Sequence, residues 1–118
     1  MNKPNIGHNL KVYIAGPYTK GIIEDNVNNA ILTAELISQY GFTPFIPHLT
    51  HYWELLIHHE YDFWIKQDLE WLSACDILLR IEGESAGADA EVQIAKEIGM
   101  PVFFSPRNMI AYYNNGKV

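Results

Sequence analysis

Apolar and polar residues follow one another along this chain in short blocks that predict alternating strands and helices. Short apolar runs rich in β-branched and aromatic residues are typical of buried strands. Four such runs cover residues 11–15, 42–46, 76–81 and 101–104. Apolar residues at helical spacing predict helices between them. These helices cover residues 26–40, 61–75 and 85–99, and a short last helix follows residue 106.

Turn and cap residues support these boundaries. Gly16 and Pro17 end the first run, and Gly41 is expected to stop the first helix. Ser85 is an expected N-cap. Pro44 lies inside the second run and cannot donate a ladder hydrogen bond, so we expect that strand at an edge of the sheet.

Strands that alternate with helices predict one α/β domain. We expect a flavodoxin-like (Rossmann-like) parallel sheet in the order 2-1-3-4 with helices on both faces. Residues 1–10 are interpreted as a polar leader and residues 11–118 as the domain. Ligands bind such sheets beyond the carboxyl ends of the strands, where the strand order reverses. That position collects Gly16, Pro17 and Tyr18 from the first loop and residues 83–87 from the third.

Two carboxylates interrupt helical stripes that are otherwise apolar. Asp68 follows Trp64 by four positions and precedes Leu72 by four, and Glu91 lies on the apolar stripe of the 85–99 helix. An unpaired buried carboxylate costs several kcal/mol or takes up a proton. Two such positions in one small domain predict a functional site.

Composition narrows the classes of partner. A formal net charge of -6 argues against binding duplex nucleic acid, which needs a basic face. The apolar runs are far shorter than a membrane span, so no membrane partner is expected. One cysteine, Cys75, and a polar start without a signal-peptide pattern favour a cytoplasmic protein.

Structural readings of the same residues remain open. Glu91 could form a buried salt bridge with Arg80, and Asp68 could bond the backbone locally. Asp76 is the first residue of a predicted strand, and we expect it to have a structural role rather than a functional one. Trp64 is expected in the core, while Trp71 is expected to be partly exposed or interfacial.

The histidines of the 48–60 connection invite a metal interpretation. His48 and His51 follow a proline in a predicted loop, and no cysteine or close acidic cluster completes a tetrahedral set. We therefore predict neither a metal nor a cofactor. Contact between His48 and a base or phosphate is the more plausible role, and the connection itself is expected to be partly helical.

The chain resembles the nucleoside 2-deoxyribosyltransferase superfamily. It is most similar to the branch of deoxynucleoside 5′-monophosphate N-hydrolases, and its YIAGPYT opening is typical of a phage and bacterial subgroup. The resemblance extends from Lys11 to about Phe104. The matching motifs, in order, are Tyr13, Ala15-Gly16, Asp68-Leu69 with Leu72, Cys75-Asp76, and Ser85, Gly87 and Glu91.

This resemblance implies cleavage, by hydrolysis or base transfer, of the N-glycosidic bond of a (deoxy)nucleoside 5′-monophosphate. Glu91 matches the nucleophile that forms a glycosyl-enzyme intermediate, and Asp68 matches the general acid. Tyr13 matches the tyrosine that positions the nucleophile. Ser85 and Gly87 match residues that hold the 5′-phosphate.

The environments of the two carboxylates are expected to differ. Glu91 should be kept ionised by Tyr13 and the helix start, while apolar neighbours should raise the pKa of Asp68. Asp89 and Arg80 depart from the family pattern; Asp89, at the helix start, is included among the expected substrate-binding residues.

Two other classes of function are compatible with the sequence. One is a non-catalytic module that binds an ADP-ribose-like or signal nucleotide, with both carboxylates on ribose hydroxyls. The other is a structural subunit of a larger assembly, which the two carboxylates disfavour. A homodimer or higher homo-oligomer is expected, both from the resemblance and from an aromatic content that exceeds what one small core hides. The aromatic residues concerned are Trp53, Tyr61, Trp71, Tyr112 and Tyr113.

Overall fold

The computed structural model describes residues 4–116 and contains four strands and five helices within that range. The strands are β1 (Lys11–Ala15), β2 (Thr43–Phe45), β3 (Ile77–Arg80) and β4 (Val102–Phe103). The helices are α1 (Ile23–Ser38), α2 (His51–Leu56), α3 (Tyr61–Ser73), α4 (Ala86–Glu97) and α5 (Pro106–Asn114). A 3₁₀ turn, Pro47–Thr50, precedes α2.

The sheet is entirely parallel and has the predicted order β2-β1-β3-β4. β2 is an edge strand in which Pro44 pairs with Val12. This placement confirms the inference drawn from the missing N–H of proline. The fold is therefore flavodoxin-like, with the order reversal between β1 and β3.

Element boundaries differ modestly from the sequence-based expectations. α1 begins at Ile23, three residues earlier than predicted, and Glu24 and Asp25 occupy its first turn. Acidic residues are favourable there because they face the positive end of the helix dipole. The 48–60 connection is partly helical, as expected, and it contains the 3₁₀ turn and α2.

Two apolar layers cover the two faces of the sheet. Val12 and Ile14 face a layer formed mainly with α1 and α5. Tyr13 and Ala15 face the opposite layer, which contains side chains from α3 and α4. This alternation follows from the two-residue period of a strand. It places Tyr13 on the same face of the sheet as the helices that carry Asp68 and Glu91.

Part of the predicted leader packs against the domain. Ile6 is buried in the α1-side core, and the Ile6 and Gly7 N–H groups donate to the Tyr40 carbonyl at 2.9 Å. The first three residues of that leader lie outside the described residues. In the part of the chain that the structure describes, no helix is both long and apolar enough to cross a bilayer.

Asp76 lies at the amino end of β3, the end opposite the order reversal loops. Its Oδ2 accepts a hydrogen bond from the Lys11 N–H at 2.8 Å, and the Asp76 N–H donates to the Lys11 carbonyl at the same distance. Asp76 thus ties the starts of β1 and β3 together, which matches the structural role expected for it. Burial, followed by the charge of Asp76, raises the pKa of the neighbouring Cys75 thiol to about 11.

Candidate active site

A cleft of about 770 Å³ lies at the carboxyl ends of β1 and β3. Its walls are the β1–α1 loop, the segment from the 3₁₀ turn into α3, and the start of α4. Of the predicted site residues, the following line it: Gly16, Tyr18, His48, Asp68, Ser85, Gly87 and Glu91. Its volume falls in the range of small-molecule sites.

Tyr13 lies beneath the cleft floor and is completely buried. Its hydroxyl donates a hydrogen bond to Glu91 Oε2 at 2.5 Å. Burial, and next the negative charge of Glu91, raise the pKa of Tyr13 far above its usual range, so the phenol keeps its proton. Tyr13 is therefore a permanent donor that holds one carboxylate oxygen of Glu91 in place.

Glu91 is less readily ionised than the sequence suggested. Burial raises the pKa of Glu91 to about 7; the Tyr13 bond lowers it, the charge of Asp68 raises it, and Arg80 lowers it. Burial also raises the pKa of Asp68, to about 6. The expectation of opposite environments is therefore wrong. Glu91 lies in the second turn of α4, as predicted, but the desolvation of its side chain outweighs the tyrosine bond.

Asp68 is supplied by α3 and lines the cleft beside Trp64 and Ile65. Burial alone accounts for its raised pKa, without an offsetting cation or hydrogen bond from the described residues. Trp64 was expected in the core, but it is half-buried and its Nε1 donates to Glu54 Oε1 at 2.6 Å on the cleft wall. Trp71 is half-exposed, as expected, and stacks on Phe45 at 4.8 Å.

Arg80 does not form the alternative salt bridge with Glu91. Its Nη2 lies 2.9 Å from Asp89 Oδ1 and also donates to the Gly83 carbonyl at 2.9 Å, while its Nη1 donates to the Ile81 carbonyl. Arg80 thus fixes the β3–α4 loop. Asp89 is largely exposed and does not line the cleft, so the structure does not bring it to the other predicted site residues.

The loops after β1 and β3 approach each other closely because both contain glycine. A Cβ at Gly16 would lie 2.3 Å from Ile81 Cγ1. Gly83 has a φ of +121°, and a Cβ there would lie 2.5 Å from Pro17 Cγ. Pro17 is buried behind the cleft wall rather than in it. Its role is to pack the two loops together.

His48 is buried at the back of the cleft. Its Nε2 donates to the Pro17 carbonyl at 3.0 Å, which fixes the tautomer and leaves Nδ1 as an acceptor. Burial lowers the pKa of His48, so the ring is neutral. Tyr18 stands in front of it with its hydroxyl 2.7 Å from His51 Nδ1. No metal-binding group of His, Cys, Asp or Glu occurs among residues 4–116.

The start of α4 forms one end of the cleft. Ser85 Oγ accepts the Ala88 N–H at 3.1 Å and is the predicted N-cap. A Cβ at Gly87 would meet no atom within 4 Å, so there is open space beside this residue of the first turn. The free N–H groups and dipole of a helix start favour an anion at such a place.

Sequence reasoning missed Glu54, which organises one cleft wall. Its Oε1 accepts the His59 N–H at 3.0 Å and the Trp64 indole N–H, and its Oε2 lies 2.5 Å from His58 Nδ1. The hydrogen bond from the His59 N–H, then those from Trp64 and His58, lower the pKa of Glu54 to about 2. The only available signal was the spacing of four residues between Glu54 in α2 and His58 just beyond the end of that helix.

The fold and the cleft together define a flavodoxin-like α/β protein with two carboxylates at the strand-order reversal. This chain belongs to the family described as Domain of unknown function (DUF7768), whose model matches residues 10–105. No functionally curated protein matches its sequence.

Two solved structures share the fold. One is a 2-deoxyribosyltransferase from Bacillus psychrosaccharolyticus, with 24% identity and a TM-score of 0.61 over 78% of this chain and 69% of that one. The other is a conserved protein from Enterococcus faecalis V583, with 20% identity and a TM-score of 0.63 over 79% of this chain. This chain spans 60% of the length of the Enterococcus protein. These likenesses show that the chain shares the α/β fold of these two structures.

Proposed function

We propose that this protein cleaves the N-glycosidic bond of a (deoxy)nucleoside 5′-monophosphate. The observation that carries the proposal is the pair of carboxylates, Glu91 and Asp68, on one cleft with the Tyr13 hydroxyl bonded to Glu91. The 2-deoxyribosyltransferase with the same fold gives independent support for chemistry at a nucleoside.

The first step forms a covalent intermediate. An ionised Glu91 oxygen attacks C1′ of the sugar while the bond from C1′ to the base nitrogen breaks. Asp68 gives its proton to the departing base, so the base leaves neutral and Asp68 becomes a carboxylate. Tyr13 keeps its own proton and orients the attacking carboxylate.

The second step releases the sugar. Ionised Asp68 accepts a proton from water, whose oxygen attacks C1′, and the bond to Glu91 breaks to regenerate its carboxylate. A second base in place of water gives transfer instead of hydrolysis. Both outcomes use the same two side chains, so the choice depends on which acceptor occupies the cleft.

The start of α4 supports a 5′-phosphate on the substrate. Ser85 and Gly87 line the cleft, there is open space beside Gly87 in the first helical turn, and the first turn of a helix carries N–H groups without helical partners. A phosphate there should strengthen binding by roughly 1.5–3 kcal/mol relative to the nucleoside, the scale of hydrogen bonds to a charged group.

Release of free base tests the proposal directly. The protein is incubated with ribo- and deoxyribonucleoside 5′-monophosphates of the common bases, and free base is measured by chromatography. We expect release by the unaltered protein and a loss of several orders of magnitude in Glu91→Gln. Glu97→Gln, an exposed position on the same helix, is the matched control. A 2′-fluorinated substrate should leave a sugar adduct in the intact mass.

A binding module is the competing outcome of the same experiment. If monophosphates raise the melting temperature but no base appears from any of them, the carboxylates bind ribose hydroxyls without turnover. Near-normal base release by Glu91→Gln would remove Glu91 from the chemistry.

We also propose that the protein forms a homodimer through the surface around α2. This surface is apolar and exposed, and an apolar groove of about 340 Å³ beside β2 adjoins it. Its exposed members are Leu49, Tyr52, Trp53, Leu55, Leu56, Ile57 and Tyr61. Large apolar patches are uncommon on monomers. Tyr113, one of the five aromatic residues expected to exceed what the core hides, is instead buried in the α1-side core.

Light scattering tests the dimer. At micromolar concentration we expect twice the chain mass, and Leu56→Lys, at the most exposed of these positions, should restore the mass of one chain. A mass of one chain for the unaltered protein, with full activity, would contradict this part of the proposal.

A further inference from the structure

Lys20 stands out because it is the sole lysine or arginine among the described residues that line the cleft. It lies in the β1–α1 loop, and its Nζ is 3.4 Å from Glu84 Oε2 in the β3–α4 loop. Both side chains are largely exposed, so this ion pair is weak and readily exchanged. It bridges the two loops that meet at the strand-order reversal.

Glu84 is the residue directly before Ser85, the N-cap of α4. The Lys20 ammonium therefore lies near the start of α4, within ion-pair distance of the residue that precedes its N-cap. The Glu84 carboxylate lies near the same helix start, and a negative charge there competes with any anion bound at that place. The two side chains consequently act on an incoming phosphate with opposite signs.

The other charged residues of the cleft are acidic, so the opposing effects of Lys20 and Glu84 influence whether a phosphate binds. The chain has a formal net charge of -6, and Asp68, Glu91 and Glu54 also line the cleft. A dianionic phosphate approaching this surface meets repulsion that the uncharged hydroxyl of a nucleoside does not meet. A cation at the loop opening counteracts that repulsion where the phosphate enters.

We propose that Lys20 and Glu84 form an exchangeable ion pair that sets the preference for a nucleoside 5′-monophosphate over the nucleoside. On binding, the phosphate replaces the Glu84 carboxylate as the partner of Lys20. Lys20 is thus a specificity-determining residue, and Glu84 is its competing counter-ion. This inference rests on the proposed function, because it assumes that the phosphate binds at the start of α4.

The test compares binding of a deoxynucleoside 5′-monophosphate and of the same deoxynucleoside by calorimetry. All measurements use the Glu91→Gln background, so that the ligand is not consumed. We expect Lys20→Gln to lower the ratio of the two affinities about tenfold, the loss of one charge-assisted contact. We expect Glu84→Gln to raise that ratio about threefold, because an exposed competing charge is removed.

Two controls make the same changes of net charge elsewhere. Lys66→Gln lies on the exposed side of α3, and Glu82→Gln lies in the β3–α4 loop; neither residue lines the cleft. Both controls should leave the affinity ratio within twofold of the background, roughly the effect of a distant screened charge. Raising salt from 50 to 300 mM should shrink the effects of Lys20→Gln and Glu84→Gln together.

The two site variants must change the ratio in opposite directions. A ratio unchanged in Lys20→Gln, or lowered in Glu84→Gln, would overturn the exchangeable pair. An equal change in Lys66→Gln would assign the effect to net charge and also overturn it. Base release by the unaltered protein is scored separately, so the proposed reaction can survive when this inference fails, and the reverse.

Discussion

Replacing Glu91 with glutamine should make the protein more stable at high pH. The pKa of Glu91 is about 7 in the folded protein, against an ordinary value of 4.5. The folded state therefore holds a proton on Glu91 across a range in which the unfolded chain has lost it. Stability contributed by that proton is fully present below about pH 4.5 and is lost as pH rises through 7.

The difference between the two pKa values sets the size of the effect. It corresponds to about 3 kcal/mol of unfolding free energy, an order-of-magnitude value for a largely desolvated carboxylate. Glutamine has nearly the shape of protonated glutamate, and its carbonyl can still accept the Tyr13 hydrogen bond. The variant should thus match the unaltered protein near pH 4.5 and exceed it by about 3 kcal/mol near pH 8.5.

Urea unfolding between pH 4.5 and 8.5 measures this directly. Glu97→Gln, at an exposed site on α4, reports the effect of losing a negative charge from the same helix. A free-energy difference between Glu91→Gln and the unaltered protein that stays flat across the pH range would refute a raised pKa of Glu91. A gain in stability of the unaltered protein over Glu91→Gln as pH rises would refute it equally, since the folded protein would then stabilise the ionised form of Glu91.

Three further predictions concern the cleft. Catalysis needs Glu91 ionised and Asp68 protonated, and their pKa values are about 7 and 6, so kcat/KM should peak near pH 6.5. At that pH about one quarter of molecules have Glu91 ionised, about one quarter have Asp68 protonated, and about 6% have both. A kcat/KM that stays at a plateau into alkaline pH would contradict this assignment. Tyr13→Phe removes the donor to Glu91, which raises the pKa of Glu91, and it should lower kcat/KM about 10- to 100-fold while moving the alkaline limb of the profile to higher pH, because Glu91 has the higher of the two pKa values; an unmoved profile would leave Tyr13 a packing role only. Gly16→Ala should lower the free energy of unfolding by roughly 1–3 kcal/mol, because the new Cβ meets Ile81. Gly87→Ala, measured in the same thermal unfolding experiment, should leave stability unchanged or raise it by up to about 1 kcal/mol, and it should weaken monophosphate binding. Equal effects of the two changes on stability would contradict the loop packing.

The order of strands and helices could be predicted from local patterns. Short β-branched runs, helical apolar spacing and the caps at Ser85 and Gly41 act over a few residues, so they can be interpreted without tertiary contacts. Pro44 indicated that its strand lies at the sheet edge, because proline has no N–H to donate to a neighbouring strand. Asp68 and Glu91 were visible as carboxylates on apolar stripes.

The electrostatics of the site and its outer wall were decided only by the tertiary structure. Desolvation depends on everything packed around a group, and for Glu91 it outweighs the tyrosine bond that the sequence suggested. Arg80 reached Asp89 instead of Glu91 through loop geometry that spacing does not encode. Local sequence determined that Asp68 and Glu91 lie on the inward stripes of their helices; long-range packing determined their pKa values, brought Glu54 into the cleft wall and left Asp89 outside it.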